Sequence, residues 1–115
     1  MKELQKQIAK WAESWGRKAD TRNLALGVCE EAGELAHCVL KREQGLRGMD
    51  KPEVFVPAAQ DAVGDCLVYL AEVCTAEGWD METIFIDTVE SVTKREWKKH
   101  PEDADDYGPE LAGDK

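Results

Sequence analysis

The chain has 115 residues, 43% hydrophobic and 34% charged, which suits one soluble globular domain with a modest core and not a disordered or fibrous chain. Its formal net charge is −9, from 15 basic and 24 acidic residues, and no basic face is available to neutralise phosphates, which excludes sequence-independent nucleic-acid binding. No apolar run approaches the length of a membrane span and the N-terminus lacks a signal-peptide pattern, so no membrane partner and a cytoplasmic location are expected.

In chain order, apolar groups recur at Leu4, Ile8, Trp11, Ala12 and Trp15, the stripe of an amphipathic helix over residues 3–16. Gly16 and Asp20 close that helix and open the next, expected from Thr21 to Gln44 with Ala25, Val28, Cys29, Ala32, Leu35, Ala36 and Val39 as its core stripe. Residues 45–57 hold two glycines and two prolines and read as a loop, long enough to permit more than one packing of the helices it joins. Within it Val54-Phe55-Val56 suits a brief extended piece. A third helix is expected from Ala58 to Glu77 with Gly78 as its stop. Asp80 then caps a fourth helix that points Met81, Ile84, Phe85, Val89 and Val92 inward and ends near Lys99, before Pro101. Residues 1–100 therefore form one helical domain, and 101–115 an acidic flexible tail carrying −5 of the net charge. The fold class is all-α, a four-to-five-helix bundle. Four cysteines (Cys29, Cys38, Cys66 and Cys74) form no C-x-x-C pair and read as buried reduced thiols.

Two acidic clusters carry the chemistry. On the second helix Glu34 lies about 40° from Glu30 and about 60° from Glu31, and Gly27 and Cys38 share the side of Glu31 and Glu34, leaving room for another helix to approach. On the third helix Asp61, Asp65 and Glu72 fall within about 40° of one another, while every other direction is apolar. A helix this apolar is central to its bundle or buried between subunits, where a carboxylate stripe needs a cation. Carboxylates without paired His or Cys suit Mg²⁺, or Mn²⁺, and Mg²⁺ shares its coordination with substrate phosphates. That points to phosphate ester or anhydride chemistry with a carboxylate activating water.

The stretch Asn23 to Leu40 (NLALGVCEEAGELAHCVL), together with Asp61 to Leu70 (DAVGDCLVYL), resembles the MazG-like family of all-α nucleoside triphosphate pyrophosphohydrolases, whose pattern is E-E-x-x-E followed by E-x-x-D. The resemblance implies that Glu31, Glu34 and Asp65 ligate Mg²⁺ and that Glu30 orients or deprotonates the attacking water. The glutamate of E-x-x-D falls at Ala62, which cannot ligate, so Asp61 stands in for it. The activity implied is cleavage of the α–β phosphoanhydride of a nucleoside triphosphate, to a monophosphate and pyrophosphate, by a homodimer or homotetramer. Lys94, Arg95 and Lys98 are candidate phosphate contacts. Trp11 and Trp15 are candidates for stacking on the base, and Asn23 for a sugar or base contact.

Two other readings compete. Glu34-Leu35-Ala36-His37 is a Glu-x-x-His unit of the kind that di-iron bundles use twice, but it occurs once. A non-enzymatic helical dimerisation module, its acids merely solvated or paired, is the second.

Overall fold

The computed structural model describes residues 1–17 and 20–95. Among them the protein is all-α, with four helices and no strand: α1 is Lys2–Ser14, α2 Thr21–Gln44, α3 Pro52–Glu77 and α4 Met81–Thr93. Met1–Met81, holding α1 to α3, is one compact unit; Glu82 onward belongs to a second. The domain boundary expected at residue 100 and the tail beyond it lie outside the described residues.

α2 has the bounds its end signals dictate. The Asp20 carboxylate accepts the backbone N–H groups of Arg22 and Asn23 at 3.0 and 3.4 Å, and Gly45 closes the helix in the left-handed conformation. α3 differs from expectation at its start, beginning at Pro52 and not at Ala58. Proline suits the first helical turn, where its missing N–H has no intrahelical partner in any case. Pro57 is carried inside the helix, and Val54-Phe55-Val56 is helical, not extended. The connection from α2 is thereby confined to Gly45–Lys51, which joins the two as neighbouring antiparallel helices.

Three contacts fix the register of this hairpin. At one end the Thr21 hydroxyl donates to Glu77 Oε2; at the other the Arg42 guanidinium lies 4.0 Å from the centre of the Phe55 ring. Between them Gly27 lets the Tyr69 ring lie against the α2 backbone, where a Cβ would stand 2.7 Å from Tyr69 Cζ. The face of α2 that turns to α3 therefore runs through Leu24, Gly27, Glu31 and Cys38, with Leu24 and Cys38 buried. In the expected core stripe Ala25, Cys29, Ala32, Ala36 and Val39 are exposed, and only Val28 and Leu35 are half-buried. Among the described residues the buried apolar set is small: Leu24, Cys38, Ala62, Ala71 and Cys74.

α1 crosses α3 and is held by polar staples. The Gln5 side-chain amide donates to Thr75 Oγ1 (3.2 Å) and to the Trp79 carbonyl (2.9 Å), while its Oε1 accepts the Met81 N–H at 2.9 Å. Lys2 adds an ion pair to Asp80 at 3.5 Å. Of the α1 stripe, Ile8 and Ala12 are half-buried, and Leu4, Trp11 and Trp15 are exposed.

α4 starts after Asp80 as expected but ends at Thr93, well before Lys99. The Thr93 hydroxyl donates to the Val89 and Glu90 carbonyls, satisfying acceptors that the last turn leaves open. Ile84, Phe85 and Val89 are exposed, contrary to their expected inward position, and only Met81 and Val92 are half-buried. The four thiols are free as expected, with Cys38 and Cys74 buried, Cys66 half-buried and Cys29 exposed.

One expectation about hydropathy needs correction. α3, with mean hydropathy 1.3 over its most apolar stretch, is long and apolar enough to cross a membrane. Its early start at Pro52 supplies the length. Asp61 and Asp65 sit near its middle, where a bilayer makes carboxylates costly, and it packs against α2 and α1 with 17% of that stretch buried.

Gly27 and Gly33 offer a controlled pair. Gly33 has open space around it, so Gly33→Ala gains helix propensity, up to about 1 kcal/mol. Gly27→Leu forces α2 and α3 apart at Tyr69 and costs about 1–3 kcal/mol. Urea denaturation monitored by circular dichroism separates the two signs.

Candidate metal centre

The hairpin register brings the two acidic clusters together. With Gly27 against Tyr69, one helical turn onward in α2 is Glu31, and one turn back in α3 is Asp65, so the two carboxylates stand level across the interface. Glu31 is half-buried there; Glu30, Glu34, Asp61 and Asp65 are exposed around it. The Glu31 carboxyl is pushed above its ordinary value of 4.5 by partial burial, then by the charge of Asp65, and after it by Glu30, Glu34 and Asp61. The other four predicted carboxylates thus all act on Glu31.

Among the described residues none of the five forms an ion pair or a side-chain hydrogen bond. Nor do any three His, Cys, Asp or Glu side chains among them converge as a ready coordination shell. The donor chemistry fits a hard divalent cation: the five are all carboxylates on two neighbouring helices, and four are exposed enough to change rotamer and close a shell. Ala62, where the glutamate of the E-x-x-D pattern would fall, is buried, 4% exposed, whereas Asp61 is exposed and acts on Glu31.

Glu72, expected on the same acidic stripe, is not part of the cluster. It is 5% exposed, and its Oε2 lies 3.5 Å from Arg17 Nη2 in the connection after α1. The Arg17 guanidinium also stands 5.3 Å from the Tyr69 ring centre and 6.0 Å from that of Trp11. The sequence reading missed Arg17; the only signal was a basic residue beside Gly16, too weak to single it out.

A groove of about 610 Å³ opens between α1 and α3, with Leu4, Ile8, Trp11, Leu67 and Val68 as apolar walls and Asp65 on its lining. It joins Trp11, but not Trp15, to the acidic site; Trp15 is 75% exposed. Asn23 is engaged locally, its side-chain amide donating to Asp20 Oδ2 at 3.3 Å. Lys94 and Arg95 follow α4 in the second unit, and Lys98 lies outside the described residues. No family model, curated protein or solved structure matches this chain.

The raised Glu31 pKa has a definite sign. The folded state favours the protonated form, so stability is lost as pH rises through the folded pKa and is regained as pH falls below 4.5. Glu31→Gln therefore melts higher than wild type in chelator at mildly alkaline pH, and the gap closes below 4.5. Mg²⁺ raises the melting temperature of wild type and has little effect on the variant, as differential scanning calorimetry would show.

Proposed function

We propose that this protein is a Mg²⁺-dependent nucleoside triphosphate pyrophosphohydrolase of the MazG-like kind. The observation that carries this reading is the level placement of Glu31 and Asp65, with Glu30, Glu34 and Asp61 acting on the same point and no cation among the described residues to offset them. Water adds to the α-phosphorus, Glu30 takes its proton, and the bond to the bridging oxygen breaks with its electron pair leaving on pyrophosphate. The products are a nucleoside monophosphate and pyrophosphate. Glu31, Glu34, Asp61 and Asp65 would hold Mg²⁺, or Mn²⁺ in its place, which would supply neutralisation of phosphate charge. The apolar groove beside Asp65 offers the Trp11 face to a base.

Exposed apolar side chains of α2 and α3, among them Leu40, Val63, Leu67 and Leu70, support assembly as a homodimer or homotetramer. The same exposure favours the second reading, a helical dimerisation module without enzymatic activity.

A panel of ribo- and deoxynucleoside triphosphates with Mg²⁺, scored for monophosphate and pyrophosphate together, separates the two. The hydrolase yields both in equal amounts from at least one nucleotide. Asp65→Asn and Glu34→Ala each lower kcat/KM by about 10²-fold or more, the scale of losing one charge-stabilising group in an active site. A panel left intact sinks the hydrolase reading.

A further inference from the structure

Arg17 is held against Tyr69, Trp11 and Glu72, and among the described residues its side chain makes no hydrogen bond. Its guanidinium, about one third exposed, is attracted to Glu72 across 3.5 Å. The Glu72 oxygen it faces is buried and has no hydrogen-bond partner, so charge alone joins the two. No side-chain hydrogen bond from Arg17 exists among the described residues, although a guanidinium carries five N–H donors in a planar fork. A pair built only for stability would have closed this bond, because a buried carboxylate left short of hydrogen bonds is costly. Around the pair lies a cavity of about 330 Å³, lined in part by Gly16, Leu24 and Thr75.

The position of this fork is informative. On α3, Asp65, Tyr69 and Glu72 follow at i, i+4 and i+7 and share one side of the helix. The guanidinium lies by Tyr69 and Glu72, which follow Asp65 by four and seven residues, about 6 and 10.5 Å along the helix axis. Its other ring neighbour, Trp11, lines the groove that Asp65 also lines. A cationic fork at that spacing from a carboxylate cluster matches a chain of phosphates: the linkage to be cut lies at the carboxylates, and a phosphate further along reaches the arginine. Arginine grips phosphate through paired N–H donors, which makes it suited to this task.

We propose that Arg17 is a substrate-binding residue that takes the terminal phosphate of a nucleoside triphosphate, giving triphosphates preference over diphosphates. Glu72 does not touch the ligand; it supplies the counter-charge that keeps the guanidinium over Tyr69 until phosphate arrives. The identity of the ligand rests on the hydrolase reading above.

The probe is inorganic tripolyphosphate with Mg²⁺, compared with pyrophosphate, by isothermal titration calorimetry. Arg17→Ala alone strands a buried carboxylate and is expected to lower the melting temperature, so the decisive comparison is Arg17→Ala/Glu72→Gln against Glu72→Gln. Glu72→Gln, with Arg17 released, binds tripolyphosphate at least as tightly as wild type. The double variant, folded by circular dichroism, loses about tenfold or more in tripolyphosphate affinity while pyrophosphate affinity barely moves. Equal tripolyphosphate affinity in the two, or no tripolyphosphate binding by wild type, overturns the proposal, as does a loss confined to nucleosides without phosphate. A wild type that cleaves nucleotides while its Arg17 variants keep the same triphosphate preference overturns only this inference. Tripolyphosphate binding through Arg17 in a protein that cleaves no nucleotide overturns the hydrolase reading and leaves the phosphate site standing.

Discussion

The packing of α2 on α3 places like charges face to face, and the rest of the site depends on that constraint. Glu31 is pressed against a helix that offers it Asp65, with no cation near enough to pair with either among the described residues. Such an arrangement persists only if contacts elsewhere in the hairpin outweigh the repulsion. They are found to either side: the Tyr69 ring on Gly27, the Thr21 hydroxyl on Glu77, and the Arg42 guanidinium on Phe55. The carboxylates are brought together by packing that has nothing to do with their charge.

The interior that provides this packing is thin. Among the described residues no large side chain is fully buried, and the buried apolar set consists of Leu24 with two alanines and two cysteines. Small residues let helices approach closely but remove little apolar area from water, so the hydrophobic contribution of a single chain is limited. Polar staples compensate at the α1 end, where Gln5 makes three hydrogen bonds and Lys2 pairs with Asp80. Leucines and valines along α2 and α3 stay exposed.

Glu72 and the Asp61–Asp65 pair show how one acidic stripe serves two ends. Seven residues separate Asp65 from Glu72, two turns of the same helix side, but their surroundings differ. Asp65 is exposed beside other carboxylates, whereas Glu72 is buried beneath an arginine. The first arrangement suits a cation from solution; the second already has its counter-charge.

Helix bounds were legible where end signals are local. Asp20 and Gly45 delimit α2 because a capping carboxylate and a left-handed glycine act on the nearest turn alone. The carboxylate pairing within each helix was legible for the same reason, since i,i+4 spacing fixes a shared side. Pro52 and Pro57 misled because proline marks both loops and first helical turns, and only the fold decides which. The side of α2 that meets α3 was not legible either. Alanines, glycine and cysteine are spread around that helix, so periodicity could not choose between the Ala32 stripe and the Leu24–Gly27–Glu31–Cys38 side. Tertiary structure made that choice, through the fit of one tyrosine ring on one glycine. It also paired Glu72 with Arg17, because an ion pair between residues far apart in the chain exists only once the helices that carry them have met.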